Sequence, residues 1–134
     1  MDIIDAIFGD EDEETTTEPA PVVDEAEIDR RIWSSKSAVQ SAADAAYCCR
    51  GRDPHEVVAD AKHTGEYAAA EVWALYLAYG SLPGAAKAHD AYSQVCAGNT
   101  ELSHAANAAS QESTEMHYAA AQASFASALR TLGW

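Results

Sequence analysis

The first 23 residues contain no lysine and no arginine, and the whole chain has eight such bases against 22 acids, for a net charge of −14. This shortage of positive charge disfavours direct contact with nucleic-acid phosphate or anionic lipid, and favours a basic partner surface. The start Met1-Asp2-Ile3-Ile4-Asp5 has no positive region, so no secretory signal is expected. No apolar stretch reaches ~18 residues without a charge, so no membrane span is expected either. There are three cysteines, Cys48, Cys49 and Cys96, two of them adjacent, and no C-x-x-C. An odd count without that spacing is not the framework of a secreted disulfide domain. The expected location is the cytoplasm, or the inside of a viral or protein particle. No glycine-rich phosphate loop occurs, and no Ser-His-Asp or Cys-His arrangement can be read from spacing. The expectation is therefore a protein that binds rather than catalyses, without a cofactor.

What is present divides at about residue 24. Residues 1–23 hold eight acids and residues 24–134 hold fourteen acids and all eight bases, so the tail carries −8 and the body −6. Within the tail, Ile3, Ile4, Ile7 and Phe8 fall on one stripe of a two-turn helix, with Asp2 and Asp5 opposite and Gly9 as a stop. So short a helix is not stable alone and needs a groove to fold against. Residues 1–9 therefore read as an amphipathic docking peptide, whose partner would offer an apolar groove with a basic rim. Residues 10–23 read as a disordered tether, because like charges repel and Pro19 and Pro21 keep the chain extended.

Residues 24–134 read as one helical body. The chain has 30 alanines, and alanine is the best helix former because it loses no side-chain entropy. It also buries little area, so the tryptophans and tyrosines are expected to supply much of the burial unless partner subunits help. The first helix is expected at about 24–49, with the seam Ile28, Ile32, Ser35, Val39, Ala42, Ala46, Cys49 in alternating steps of four and three. Gly51 ends it. Asp53-Pro54-His55-Glu56 then starts the second helix with an N-cap, a proline at N1 and an acid at N3. That helix is expected at 54–79, with the seam Val58, Ala61, Gly65, Ala68, Val72, Leu75, Tyr79.

Gly80-Ser81-Leu82-Pro83 forms a turn into a third helix at about 83–97, with Ala85, Ala88, Tyr92, Val95 and Cys96 inward. Gly98 is expected to end it, and Asn99 or Thr100 to cap a fourth at about 100–132. The fourth seam is expected to hold Leu102, Ala106, Ala109, Met116, Ala120 and Ala123, then Phe125, Leu129 and Leu132. Short connections between four helices predict an all-α, up-down-up-down four-helix bundle. Residues 69–97 resemble a single tetratricopeptide helix pair in the placing of Leu75, Tyr79, Ala88, Tyr92 and Val95. No second copy follows at a spacing of ~34, so the bundle is preferred.

Two groups carry candidate function. Trp73 and Leu77 lie on the second helix away from its seam, which marks them, with the N-terminal stripe, as partner-binding or self-association residues. In an up-down bundle Cys48, Cys49 and Cys96 also come to the same end as His55, Asp60, His63, Glu101 and His104. A metal site drawn from Cys48, Cys49, Cys96, His55 and His104 is the alternative function, weighed against inert buried cysteines. Asp60-Ala-Lys-His63 and Glu101-Leu-Ser-His104 resemble the acid-x-x-His pairs of carboxylate-bridged di-metal bundles. The helical wheel turns both histidines away from the core, where di-metal ligands point inward. His89 and His117 read as hydrogen-bonded core histidines. A third reading, an acidic mimic of nucleic acid that blocks a DNA-binding enzyme, needs duplex-like rows of carboxylates on the body, whereas the densest charge lies in the tail.

Overall fold

The computed structural model describes residues 25–133. The docking stripe Ile3, Ile4, Ile7 and Phe8, the tether and Trp134 lie outside the described residues. Four helices follow one another: α1 (Glu25–Cys48), α2 (Pro54–Tyr79), α3 (Ala85–Ala106) and α4 (Gln111–Thr131). Each packs on its neighbours in the chain, and α1 closes the ring against α4. The fold is the expected all-α four-helix bundle.

The first two helices form as their residues dictate. Asp53 sits in extended backbone and its carboxylate accepts from the His55 N–H at 2.9 Å, while Pro54 occupies the first turn. Gly80 ends α2 at φ 56°, a left-handed backbone that glycine adopts without a Cβ penalty. On the expected seams, Ser35, Val39, Ala42, Ala46, Val58, Ala61, Gly65, Ala68, Val72 and Leu75 are all buried. Ser35 belongs there because its hydroxyl donates to the Glu71 carbonyl of α2 at 3.1 Å, which satisfies it inside the core.

The boundary between the last two helices departs from expectation. α3 does not stop at Gly98 but continues to Ala106, and the turn is Asn107–Ser110. Thr100 caps nothing and donates instead to the Cys96 carbonyl one turn back, at 3.1 Å. The cap of α4 is Ser110, whose hydroxyl accepts from the Ser113 N–H at 3.1 Å. The reason lies in packing. A Cβ on Gly98 would come within 2.6 to 2.9 Å of three ring atoms of Phe125 on α4, whereas one on Gly65 would run first into the Asn99 side-chain amide and approach the Phe125 ring only to 3.3 Å. Gly98 gives clearance to a fully buried phenyl ring, and Gly65 chiefly to the Asn99 side chain. Each glycine costs about 1 kcal/mol of helix propensity, and burying a phenylalanine recovers about 1.5–3 kcal/mol. The helix therefore runs through Gly98.

Moving the turn shifts the phase of α4. Its buried stripe is Thr114, Tyr118, Ala121, Phe125 and Ala128, with Leu132 just beyond. Met116 and Ala123, expected inward, are exposed, and Ala120 and Leu129 are half-buried. Leu102 is buried but belongs to α3, on the stripe Ala88, Ala91, Val95, Gly98, Leu102, Ala105. The expected aromatic core is also corrected. Eleven of the 23 buried hydrophobic residues are alanine, while Trp33, Tyr47, Tyr67 and Trp73 are exposed. Alanine seams bring helices close together, and little space is left for large rings.

Gly98→Ala separates clearance from propensity. Overpacking against a ring that cannot move costs about 1–3 kcal/mol, more than the ~1 kcal/mol gained by adding a helix former. The variant is expected to lower the midpoint of thermal unfolding followed by circular dichroism; a rise would mean that Gly98 gives no clearance.

Candidate functional site

Three regions concentrate chemistry among the described residues. The first is the end of the bundle where α1 gives way to α2. Cys49 is buried and Cys48 exposed, and no disulfide joins them. Burial pushes the Cys49 thiol up, partly opposed by the Arg52 guanidinium, so the thiol form is favoured. Both cysteines line a hollow of about 200 Å3 with Arg52, Glu56, Asp60 and Thr64. Drug-sized ligands occupy about 300–1,000 Å3, so this hollow is too small for one. His55 is exposed on the first turn of α2. Cys96 does not join this end. It lies ten residues before the end of α3, roughly 15 Å along the axis at 1.5 Å per residue. There it shares a hydrogen bond with Tyr92, which holds that phenol above its ordinary value.

The same end is tied together by α4. Tyr118 is fully buried and its hydroxyl donates to the Arg52 carbonyl at 3.0 Å. One turn earlier, the Glu115 carboxylate accepts from the Gly51 N–H at 2.7 Å and from Gln111 Nε2 at 3.0 Å. Burial first, then the nearby Cys49, Glu115 and Asp53, push the Tyr118 phenol from 10 to about 12.

The second region is a row of aromatic rings over α2 and α3. Trp73 stands with its ring centroid 5.1 Å from Tyr76 and 4.9 Å from Tyr92, and Tyr76 meets His89 edge-on at 5.4 Å. His89, expected in the core, is exposed on this row. Glu66, Ala70, Trp73 and Leu77 are all exposed and follow one another by four, three and four residues. That is a second stripe on α2, opposite the one that fills the core. Leu77 is 62% exposed and Trp73 39%, so the expectation that both point away from the seam agrees with their positions.

The third region joins α3 to α4 across the Asn107–Ser110 turn. Glu101 and His104 stand one turn apart on α3, and His117 comes from α4. His117 Nδ1 lies 2.6 Å from Glu101 Oε1, and His104 Nδ1 lies 3.9 Å from the same oxygen. The two imidazoles meet edge-on at 5.3 Å. Among the described residues, these three form the one group of potential metal ligands whose donor atoms all fall within 4.8 Å of one another. Of the metal candidates named from sequence, His104 belongs to it; Cys48, Cys49, Cys96 and His55 stand outside it. Glu101 and His117 could not be paired while both were assigned to one helix. The signal available was Asn107 followed by Ser110, a stop and a cap at turn spacing.

The chain matches no protein-family model, no curated protein and no solved structure. No helix of the described residues is long and apolar enough to cross a membrane.

The Tyr118 shift makes stability depend on alkaline pH with a definite sign. A phenol raised from 10 to about 12 on folding favours the neutral, folded form. The stabilisation is fully present below pH 10 and is lost as pH rises toward 12. Denaturant unfolding of wild type and Tyr118→Phe, compared between pH 9 and about 12, is expected to show wild type losing more stability. Parallel curves would place the phenol in water.

Proposed function

We propose that this protein is a non-enzymatic interaction or structural accessory protein, a component of a larger assembly. Its two contact elements are the N-terminal stripe Ile3, Ile4, Ile7, Phe8 and the outer face of α2 around Trp73 and Leu77. The observation that carries the reading is the exposed apolar pair Trp73 and Leu77 on the outer face of α2. A bundle helix needs one buried face, and the seam from Val58 to Leu75 already provides it. The exposed Trp73, braced between Tyr76 and Tyr92, adds a rigid aromatic surface of the kind enriched at interface hot spots. Placing large rings on the outside, where they gain little from the protein's own folding, is consistent with burial against another chain.

The stripe on α2 meets a second copy of the chain, and the N-terminal peptide meets a different protein with an apolar groove and a basic rim. The acidic run Asp10–Glu14 beside the peptide supports the basic rim, since opposite charge steers encounter. Burying three large apolar side chains contributes about 1.5–3 kcal/mol each, which roughly offsets the ~1–2 kcal/mol per residue of ordering a short peptide. Binding through this peptide is therefore moderate and salt-sensitive.

Two measurements test the two elements separately. Sedimentation of Trp73→Glu is expected to show a folded monomer where wild type associates with rising concentration; a wild type that stays monomeric overturns self-association. Replacing Ile7 and Phe8 together with Ser is expected to abolish partner capture in a pull-down while leaving the body's unfolding midpoint unchanged. A lower midpoint would instead make the peptide part of the body's own packing.

A further inference from the structure

We propose that Glu101, His104 and His117 form a binding site for one divalent transition-metal ion of the zinc type, clamping α3 to α4. The inference is independent of the interaction role above. Each donor is delivered by the fold. Glu101 and His104 share one face of α3 because residues three apart on a helix are neighbours. His117 is brought opposite them by the antiparallel course of α4 after the Asn107–Ser110 turn. Two imidazole nitrogens and one carboxylate oxygen are donors suited to zinc, and catalytic zinc sites use this number of protein ligands with a fourth position left to water.

The spacing fits with small adjustment. At about 2.0–2.1 Å from a tetrahedral ion, ligand atoms stand roughly 3.3 Å apart. The separations from Glu101 Oε1, 2.6 Å to His117 Nδ1 and 3.9 Å to His104 Nδ1, bracket that value. All three donor atoms lie within 4.8 Å of one another. Glu101 and His117 are about 30% exposed and His104 is 55% exposed, so the site opens to solvent on the His104 side. The carboxylate offsets part of the ion's charge.

A plain hydrogen bond between Glu101 and His117 accounts for two of the three residues. The third observation is His104, whose Nδ1 lies 3.9 Å from the same carboxylate oxygen and whose ring meets His117 edge-on. A hydrogen-bonded pair needs no second imidazole facing the same oxygen. Coordination uses all three donors at once. With Nδ1 on the metal, each neutral ring keeps its single proton on Nε2. Magnesium and calcium are disfavoured because they require more oxygen ligands than this site has.

The test uses the full chain, stripped with chelator and titrated with zinc chloride by calorimetry, with magnesium chloride as control. One equivalent of zinc is expected to bind and to raise the unfolding midpoint, because an ion that binds only the folded state stabilises it. His104→Ala, at an exposed position with no core packing, is expected to weaken binding by roughly tenfold or more, as are His117→Ala and Glu101→Gln. Cys48→Ser and His55→Ala are expected to bind as wild type. Cobalt(II) should give the visible absorption of a four-coordinate nitrogen and oxygen site in wild type and lose it in His104→Ala. That spectrum decides the matter even where His117→Ala fails to fold. Absence of saturable zinc binding overturns the proposal, and so does binding that survives His104→Ala but is lost in Cys48→Ser.

Discussion

The close approach of the Phe125 ring to the bare face of Gly98 is the constraint on which the rest of this bundle depends. A four-helix ring built largely from alanine has narrow spaces between its helices. One large ring can enter only where the facing position lacks a Cβ, and α3 supplies that position at Gly98, while Gly65 on α2 makes room chiefly for the Asn99 side chain. This fixes the phase of α4 against α3. It also fixes the length of α3, because Gly98 must lie inside the helix to present its bare face. From that length follows the turn at Asn107–Ser110, and from the turn follows which residues of α3 and α4 stand opposite each other.

The same narrowness explains why the aromatic residues lie outside. Val39, Val72, Leu75, Val95 and Leu102 fill the interior with Phe125 and Tyr118, and each is fully buried. A tryptophan in such a seam would force the helices apart or strain its neighbours, at a cost of about 1–3 kcal/mol. Trp33 and Trp73 instead face outward. Only the second of these is braced by other rings, which is why α2 rather than α1 carries the proposed contact.

How far the sequence could be read depended on whether local signals and packing agreed. At Asp53-Pro54-His55-Glu56 the cap, the proline and the acid all favour one boundary, and no tertiary contact opposes it. The seams of α1 and α2 were legible because their four-three rhythm is unbroken. Gly98-Asn99-Thr100 was misleading because glycine has two uses. It frees the backbone at a helix end, and it removes a side chain where another must pass. The second use depends on Phe125, 27 residues further on, and nothing local marks it. The weaker pair Asn107 and Ser110 was the true boundary. This one misplacement, rather than an obscure motif, also hid the Glu101–His104–His117 group: residues assigned to a single helix and 13 to 16 positions apart cannot meet.

One turn of α4 joins these results. Glu115 accepts from Gly51, His117 meets Glu101, and Tyr118 donates to the Arg52 carbonyl. Three of four consecutive residues thus fasten α4 to the turn between α1 and α2 on one side and to α3 on the other. Met116, the fourth, is the exposed one. Net hydrogen bonds contribute about 0.5–1.5 kcal/mol each, more when charged, so this turn holds the end of the bundle by several small contacts rather than by hydrophobic bulk. That suits an alanine-rich core, whose gain per buried residue is low. It also means that an ion held by Glu101 and His117 would act on the helix turn that already fixes the α1–α2 connection, and so would tighten one whole end of the bundle rather than two helices alone.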